Sequence, residues 1–260
     1  MMNLDIYTTE MSKSIWDKAF FMDKIPGTKC VIDYGCADGA MIHYLAPLFP
    51  DIMFVGFDIN EELIKRARAT TPFYANNVFF GDYNDVITFI GDKGYYPDEL
   101  CINFSSVLHE VFSSTPEGIT SIHDLVHVLD PKYITIRDMY FNGEDKTLEY
   151  FYITNVIDTM NIKEKYIEDF ENTFGSICTL KGLIHFLMKY QWKDNGWDQE
   201  LEEDYFSWNI NEFLKLTDYA YTKIFEAHYM LPYYDNKWKD LHLLPTQVNT
   251  HAQYVFRRCR

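Results

Sequence analysis

VIDYGCADGAMIHYL, Val31 to Leu45, is the stretch on which the reading of this chain turns. A short apolar run enters Gly35-Cys36-Ala37-Asp38-Gly39, and apolar residues at helical spacing follow at once. Strand, small-residue turn and helix in succession can form a ligand-binding unit, because a helix start presents unpaired N–H groups beside the turn, though taken alone such a turn is also plain fold geometry. A phosphate cradle needs glycine wherever the backbone meets the anion, and two glycines with one alanine are too few for it. The ligand of this turn must therefore be found from its surroundings.

Outward from the turn, extended and helical patterns alternate. KCVIDY is followed by a helix through Leu48, IMFVGFD by NEELIKRARAT, and NVFFGD and LCINFS by a helix over 118–129, before KYITIRDM. Asn60 is placed to cap its helix, with Glu61 and Glu62 at the positive end. Strands separated by helical lengths imply right-handed crossovers and a parallel sheet covered on both faces, an α/β doubly wound fold. Ahead of them, Met11, Ile15, Ala19, Met22 and Ile25 predict a helix over 10–25, ended by Pro26-Gly27. From about residue 143 the chain becomes acidic, aromatic and helical; after it, YTKIFEAHYMLPYY and HAQYVFRRC read as two closing strands. The expected units are an N-terminal cover (1–27), a core (28–139), a helical insert (140–218) that is either a lid over the acceptor or a subdomain with its own small core, and closing strands (219–260).

With 260 residues, 47% hydrophobic and 17% aromatic, the chain can bury a large core and is not disordered. Its apolar runs fall short of a membrane span, and MMNLDIYTTEMSKSIW lacks the order of a secretion signal. Five scattered cysteines without a CxxC argue against a disulfide framework or zinc knuckle, so a reducing cytoplasm is expected. A net charge of −16 opposes approach to nucleic acid and suits a small molecule or a cation.

Ligands of open parallel sheets bind at the carboxyl ends of the strands. Polar residues recur there: Asp33 to Gly39, Asp58, Asp82, Ser105, then Arg137 and Asp138. A nicotinamide dinucleotide would need a GxGxxG frame, and here the frame reads Gly35, Ala37, Ala40. S-adenosylmethionine has no phosphate, and asks for a small-residue turn, an acid for its ammonium and an acid for its ribose. Asp33 and Asp58 suit those tasks, Asp58 lying 19 positions beyond Gly39, while Asp82 can accept from the adenine amino group and Ile59 can pack on its ring.

VIDYGCADG resembles motif I of the class I S-adenosylmethionine-dependent methyltransferases, acid-x-Gly-x-Gly-x-Gly, with Ala37 at the middle glycine. A negative φ is expected at Ala37, since alanine tolerates a tight turn on that condition. GFDIN resembles the family's ribose-binding strand end, FFGDYND its adenine-binding one, and INFSSVLHEV its fourth strand and exit loop. The resemblance covers about 28–139 and implies a Rossmann-like, mostly parallel sheet with an antiparallel last strand and, here, a helical insertion. It implies S-adenosylmethionine as cofactor, bound by Asp33, Gly35, Cys36, Ala37, Gly39, Asp58, Ile59, Asp82, Tyr83 and Ser105.

Methyl transfer from a sulfonium is an in-line displacement that needs alignment and exclusion of water, so no metal or covalent residue is expected. On the acceptor side stand His109, which can take a proton near neutral pH, and Glu110, which can orient it or bind a cation. The plainer reading makes His109 a cap or packing residue of the following helix. Arg137 and Asp138 are substrate contacts or a structural ion pair, and His251 either faces substrate or merely opens the last strand. HDLVH, His123 to His127, nearly spells a zinc motif, but its acid is Asp124 and it lies on a crossover helix. The expected acceptor is a small molecule or peptide methylated at O or N. An RNA- or nucleotide-modifying enzyme and a non-catalytic cofactor-binding module for a protein partner are the alternatives.

Overall fold

The computed structural model describes residues 14–113, 116–194, 196–238 and 248–259. Seven strands lie in one sheet: β1 Cys30–Tyr34, β2 Met53–Phe57, β3 Val78–Gly81, β4 Leu100–Ser105, β5 Tyr133–Met139, β6 Tyr221–Tyr229 and β7 His251–Arg258. Their order is β3-β2-β1-β4-β5-β7-β6. The first five strands pair parallel, and β7 runs antiparallel to both β5 and β6. The chain moves one way from β1 through β3 and the other way from β4, so the crevice for a ligand opens between β1 and β4. Both are buried along their whole length, as a sheet covered on two faces requires.

The helices that follow these strands are α1 Ile15–Lys18 ahead of β1, α2 Ala40–Leu45, α3 Glu61–Thr70, α4 Tyr83–Lys93, α5 Leu108–Ser113 and α6 Pro116–Leu129. After β5 come α7 Tyr150–Met160, α8 Glu164–Phe174, α9 Leu180–Tyr190, α10 Trp197–Glu200 and α11 Ile210–Leu216, and α12 Pro232–Trp238 separates β6 from β7. Asn60 caps α3 as its position suggests, accepting from Glu62 N at 3.0 Å. The helix after the turn stops at Leu45, short of Leu48, where Pro47 brings no N–H to continue the ladder. The helix expected over 10–25 is regular only from Ile15 to Lys18. Met22 N and Lys24 N reach back three residues, to Ala19 O and Phe21 O, so the rest is a run of tight turns; Met11 lies outside the described residues.

Two apolar layers sandwich the sheet. Ile32, Phe104, Ile134 and Phe256 lead one, packed against α6 and α11; Val31, Phe54, Phe80 and Val255 lead the other, against α2 and α3. A third cluster belongs to the helices after β5, with α9 at its centre, buried on nearly every side. Trp197 is buried there, whereas Trp208 joins the sheet's own core and donates to Met139 O at 3.0 Å. Most aromatic residues of this region thus serve as core, whereas Tyr150 and Phe151 stand exposed on α7. Among the described residues no helix is long and apolar enough to cross a membrane.

One side chain closes the corner where α2 descends into β2. Asn77 Nδ2 donates to Ala46 O, Phe49 O and Ile52 O at 3.0, 3.2 and 3.0 Å. Asn77→Ala leaves those carbonyls short of a donor and is expected to cost about 1–3 kcal/mol. The check is the thermal midpoint, which should fall by several degrees with the far-UV spectrum unchanged.

Candidate cofactor and acceptor site

At the carboxyl ends of β1, β2 and β4 lies a cavity of about 530 Å³, within the range of small-molecule sites. Its floor is the turn after β1. Gly35 and Gly39 take φ of 76° and 77°, the left-handed region. There is no room for a side chain at either: a Cβ at Gly35 would meet Val107 Cγ2 at 2.6 Å, and one at Gly39 would meet Phe80 Cζ at 2.4 Å. Ala37 does not keep the negative φ expected of it. It sits at φ 50°, held there by Asp58 Oδ2, which accepts from Ala37 N at 2.9 Å. The other oxygen of Asp58 accepts from Asn60 N at 2.8 Å, so this carboxylate joins the ends of β1 and β2 while still lining the cavity.

Asp33 is buried on the same floor and accepts from Asn103 Nδ2 at 2.7 Å. Burial pushes its carboxyl up to about 7 against the pull of Asn103 and Lys18. Lys18 also lines the cavity and is only 8% exposed. Burial, with Arg137 nearby, brings its ammonium down to about 8. No ion pair joins Lys18 to a carboxylate among the described residues. Lys18 escapes the sequence reading although it lies three residues after Ile15, on the apolar stripe of its helix; a lysine in such a stripe is the signal that could have found it. Ser105 Oγ is buried on the cavity wall with no hydrogen-bond partner among the described residues, a further polar atom left for a ligand.

The opposite wall is acidic: Glu110, Glu202 and Glu203. Behind it, His109 is 3% exposed and its Nδ1–H donates to Asp138 Oδ1 at 2.7 Å. Burial works to lower the His109 pKa, but Asp138, Glu110 and Glu203 outweigh it and hold the ring's proton up to about 9. Glu110, 44% exposed at its side chain, is pushed up to about 7 by burial in the wall, opposed by His109 and assisted by Glu203. Glu203 comes from the segment between α10 and α11. Asp204 N donates to Ser113 Oγ at 2.8 Å, and that hydroxyl donates in turn to His109 O at 2.7 Å, which ties the segment to α5. Lys189, fully buried, braces the same segment from behind: its Nζ donates to Glu200 O and lies 3.7 Å from the Tyr205 ring centroid.

Asp33, Gly35, Cys36, Ala37, Asp58, Ile59, Ser105 and Glu110 of the sequence reading all line the cavity. Gly39 supports the turn from below. Ile59 is 93% exposed at its edge. Five other residues of the sequence reading lie outside this lining. Asp82 stands outside the lining, because its Oδ1 caps α4 by accepting from Asp85 N at 2.8 Å. Tyr83 faces a smaller adjoining hollow with Thr120 and Asp124. Arg137 points away, with Nε donating to Asp17 Oδ2 and Nη1 to Ser106 Oγ, both at 2.6 Å: the structural ion pair. Asp138 is an internal acceptor behind His109. His251 is buried against Thr250, Tyr229 and Tyr234, where burial keeps its pKa well below the usual value. HDLVH gains a third group in Asp218, whose carboxylate lies 3.0 Å from His127 Nε2 on the exposed side of α6.

Residues 10–193, about seven-tenths of the chain, match the family model described as a methyltransferase domain. The chain belongs to that family. With this sheet, it is a class I S-adenosylmethionine-dependent methyltransferase. No curated protein matches it in sequence. Similar solved structures include a SAM-dependent methyltransferase from Anabaena variabilis ATCC 29413, at 12% identity and a TM-score of 0.50, covering 99% of this chain and 96% of that one. The methyltransferase domain of bacterial CtHen1-C is 12% identical with a TM-score of 0.51, covering 98% and 99%. The plantazolicin methyltransferase BamL, in complex with a triazolic desmethylPZN analogue and S-adenosylhomocysteine, is 13% identical with a TM-score of 0.51, covering 99% and 88%. At these identities the likeness concerns the fold. The cavity fits the family's cofactor: the turn keeps side chains off the floor, and an acid, a lysine and a hydroxyl are left facing it.

Two substitutions in the turn should move stability in opposite directions. Ala37→Gly relieves a left-handed alanine and is expected to raise the thermal midpoint, the gain being about 1 kcal/mol. Gly39→Ala drives a methyl into Phe80 and is expected to lower the midpoint, at a cost of about 1–3 kcal/mol, and to weaken binding of S-adenosylhomocysteine. Thermal melts with and without that ligand check both.

Proposed function

We propose that this methyltransferase transfers a methyl group to an oxygen or nitrogen of a small molecule or peptide held between the Gly35–Gly39 turn and the wall of Glu110, Glu202 and Glu203. The observation that carries the reading is a pair of opposite charges. Asp33 and Lys18, each more than nine-tenths buried, line one cavity, and no ion pair within 4.0 Å joins them among the described residues. Buried charges of opposite sign that stay apart are costly unless a zwitterion completes them. The amino-acid end of the cofactor is such a group, with Asp33 for its ammonium and Lys18 for its carboxylate.

Asp58 then offers its remaining lone pairs to the ribose hydroxyls, and the exposed Ile59 offers an apolar face to the adenine. When bound, the cofactor supplies a methyl group on a sulfonium with a neutral thioether as leaving group. The chain's own task is to align the acceptor and exclude water. Val107 and Val111 supply dry wall beside Glu110. An acidic wall in a chain of net charge −16 favours a neutral or cationic acceptor over a polyphosphate one. BamL, alike in fold, is seen with a triazolic desmethylPZN analogue and S-adenosylhomocysteine together, in keeping with a small-molecule or peptide acceptor here.

The test is calorimetric titration with S-adenosylhomocysteine from pH 5.5 to 9. Asp33 faces Lys18, Asp58 and the neutral thiol of Cys36; Lys18 faces Arg137, Asp33, Asp138 and Asp17. Below about 7 Asp33 carries a proton that an arriving ammonium must displace, so affinity rises with pH up to that value. Above about 8 Lys18 loses the proton that binds the carboxylate, so affinity falls again. The expected profile is a maximum between the two, with the acid limb flattened in Asp33→Asn and the alkaline limb flattened in Lys18→Met. A profile unchanged by both substitutions would overturn the assignment, and failure to bind this ligand at any pH would overturn the reading itself.

A further inference from the structure

We propose that His109, Glu110 and Glu203 form a binding site for a hard divalent cation of the Mn²⁺ or Mg²⁺ kind, at the wall of the cavity where the acceptor is placed. The proposal rests on the function just described and narrows its acceptor to a hydroxyl.

Three ligand atoms, one from each residue, lie within 4.8 Å of one another. His109 Nε2 is 3.9 Å from Glu203 Oε2 and 4.0 Å from Glu110 Oε1. Those separations are too long for hydrogen bonds, and among the described residues Nε2 makes none. An ion holding these atoms at about 2.0–2.2 Å with its ligands at right angles sets each pair about 3 Å apart, so the two partly exposed carboxylates close on the imidazole by about 1 Å as it binds. The imidazole is a side chain 97% buried, at 3% exposure, and its free nitrogen is aimed at the gap between two carboxylates.

The ring is also held as a metal-binding imidazole is held. Nδ1–H donates to Asp138 Oδ1 at 2.7 Å, while the other oxygen of Asp138 accepts from Leu108 N at 2.7 Å and His109 N at 3.2 Å. That carboxylate keeps the proton on Nδ1, so Nε2 is the nitrogen that gives up its proton to an arriving cation and offers it the lone pair. Ser113 and Lys189 fix the segment that carries Glu203, so the three groups come from a prearranged wall. One imidazole with two carboxylates, and no thiolate, suits a hard cation, and three protein ligands leave positions open for a substrate oxygen.

The chemistry follows from the place. A hydroxyl beside such a cation becomes more acidic and gives its proton to solvent water. Its oxygen then donates a pair to the methyl carbon as the carbon–sulfur bond breaks, the bonding pair returning to sulfur to leave a neutral thioether. An amine acceptor gains nothing from the cation, since the ion would compete for the pair that must attack.

The test needs no acceptor. Protein stripped with a chelator is titrated with MnCl₂, and free Mn²⁺ is followed by its electron paramagnetic resonance signal. One ion per chain is expected, with affinity at least about tenfold weaker in Glu203→Gln and in Glu110→Gln, their thermal midpoints serving as the control for folding. The double variant His123→Ala/His127→Ala, which removes the exposed group on α6, should bind as the wild type does. No binding, equal binding in both glutamate variants, or loss of binding in the histidine double variant would each overturn the proposal. S-adenosylhomocysteine is titrated into the same metal-free protein. If it binds while Mn²⁺ does not, the metal site fails and the methyltransferase reading stands. If Mn²⁺ binds while it does not, the metal site stands and the cofactor assignment fails.

Discussion

Four donors converge on one buried carboxylate, that of Asp138: Leu108 N, His109 N, His109 Nδ1 and Met139 N. A carboxylate with no water around it is tolerable only when its lone pairs are filled, and here the exit of β4 fills them. The consequence is geometric. α5 must begin where its first N–H groups reach β5, the imidazole must stand with one nitrogen turned inward, and the peptide before them must cross the end of β1. Val107 is then pressed against Gly35, and the cavity acquires its roof and its floor together.

A second constraint works from the other edge of the sheet. Asp17 accepts from Arg137 Nε, Tyr229 Oη and Gln253 Nε2, which bind the short α1 to β5, β6 and β7. The next residue, Lys18, has no choice but to face the cavity. The closing antiparallel strands therefore do more than finish the sheet. They supply two of the three donors that orient the residue ahead of the lysine, although neither touches the cavity. The helices after β5 act in a similar way: their aromatic core, joined by Tyr234 and Trp238 of α12, delivers an acidic segment, Glu202 and Glu203, to the wall.

Much of the cofactor side was legible in VIDYGCADG and GFDIN because local geometry and chemistry coincide there. A turn needing positive φ and close approach demands glycine, and an acid at a strand end faces the crevice by topology. Asp82 shows the limit of that logic. It stands at a strand end too, but a helix start competes for its oxygen and takes it for capping. For Arg137 and His251 the sequence left two readings open, because alternation along a strand places successive residues on opposite faces and does not say which face is buried beneath helices. His109 was visible only as a candidate, since nothing local distinguishes a packed histidine from one held by a carboxylate 29 residues away.

By itself, then, the sequence determined the sheet, the order of strand and helix, the small-residue turn and the acids beside it. These follow from periodicity and backbone sterics, which act over a few residues. Tertiary structure alone decided that Lys18 lines the same cavity as Asp33, that Glu203 comes to stand 3.9 Å from His109, and that HDLVH finds Asp218 on an outer surface. Each of those pairs is far apart in the chain. Their meeting depends on burial elsewhere, in the core of the later helices and in the closing strands, and no local pattern carries that information.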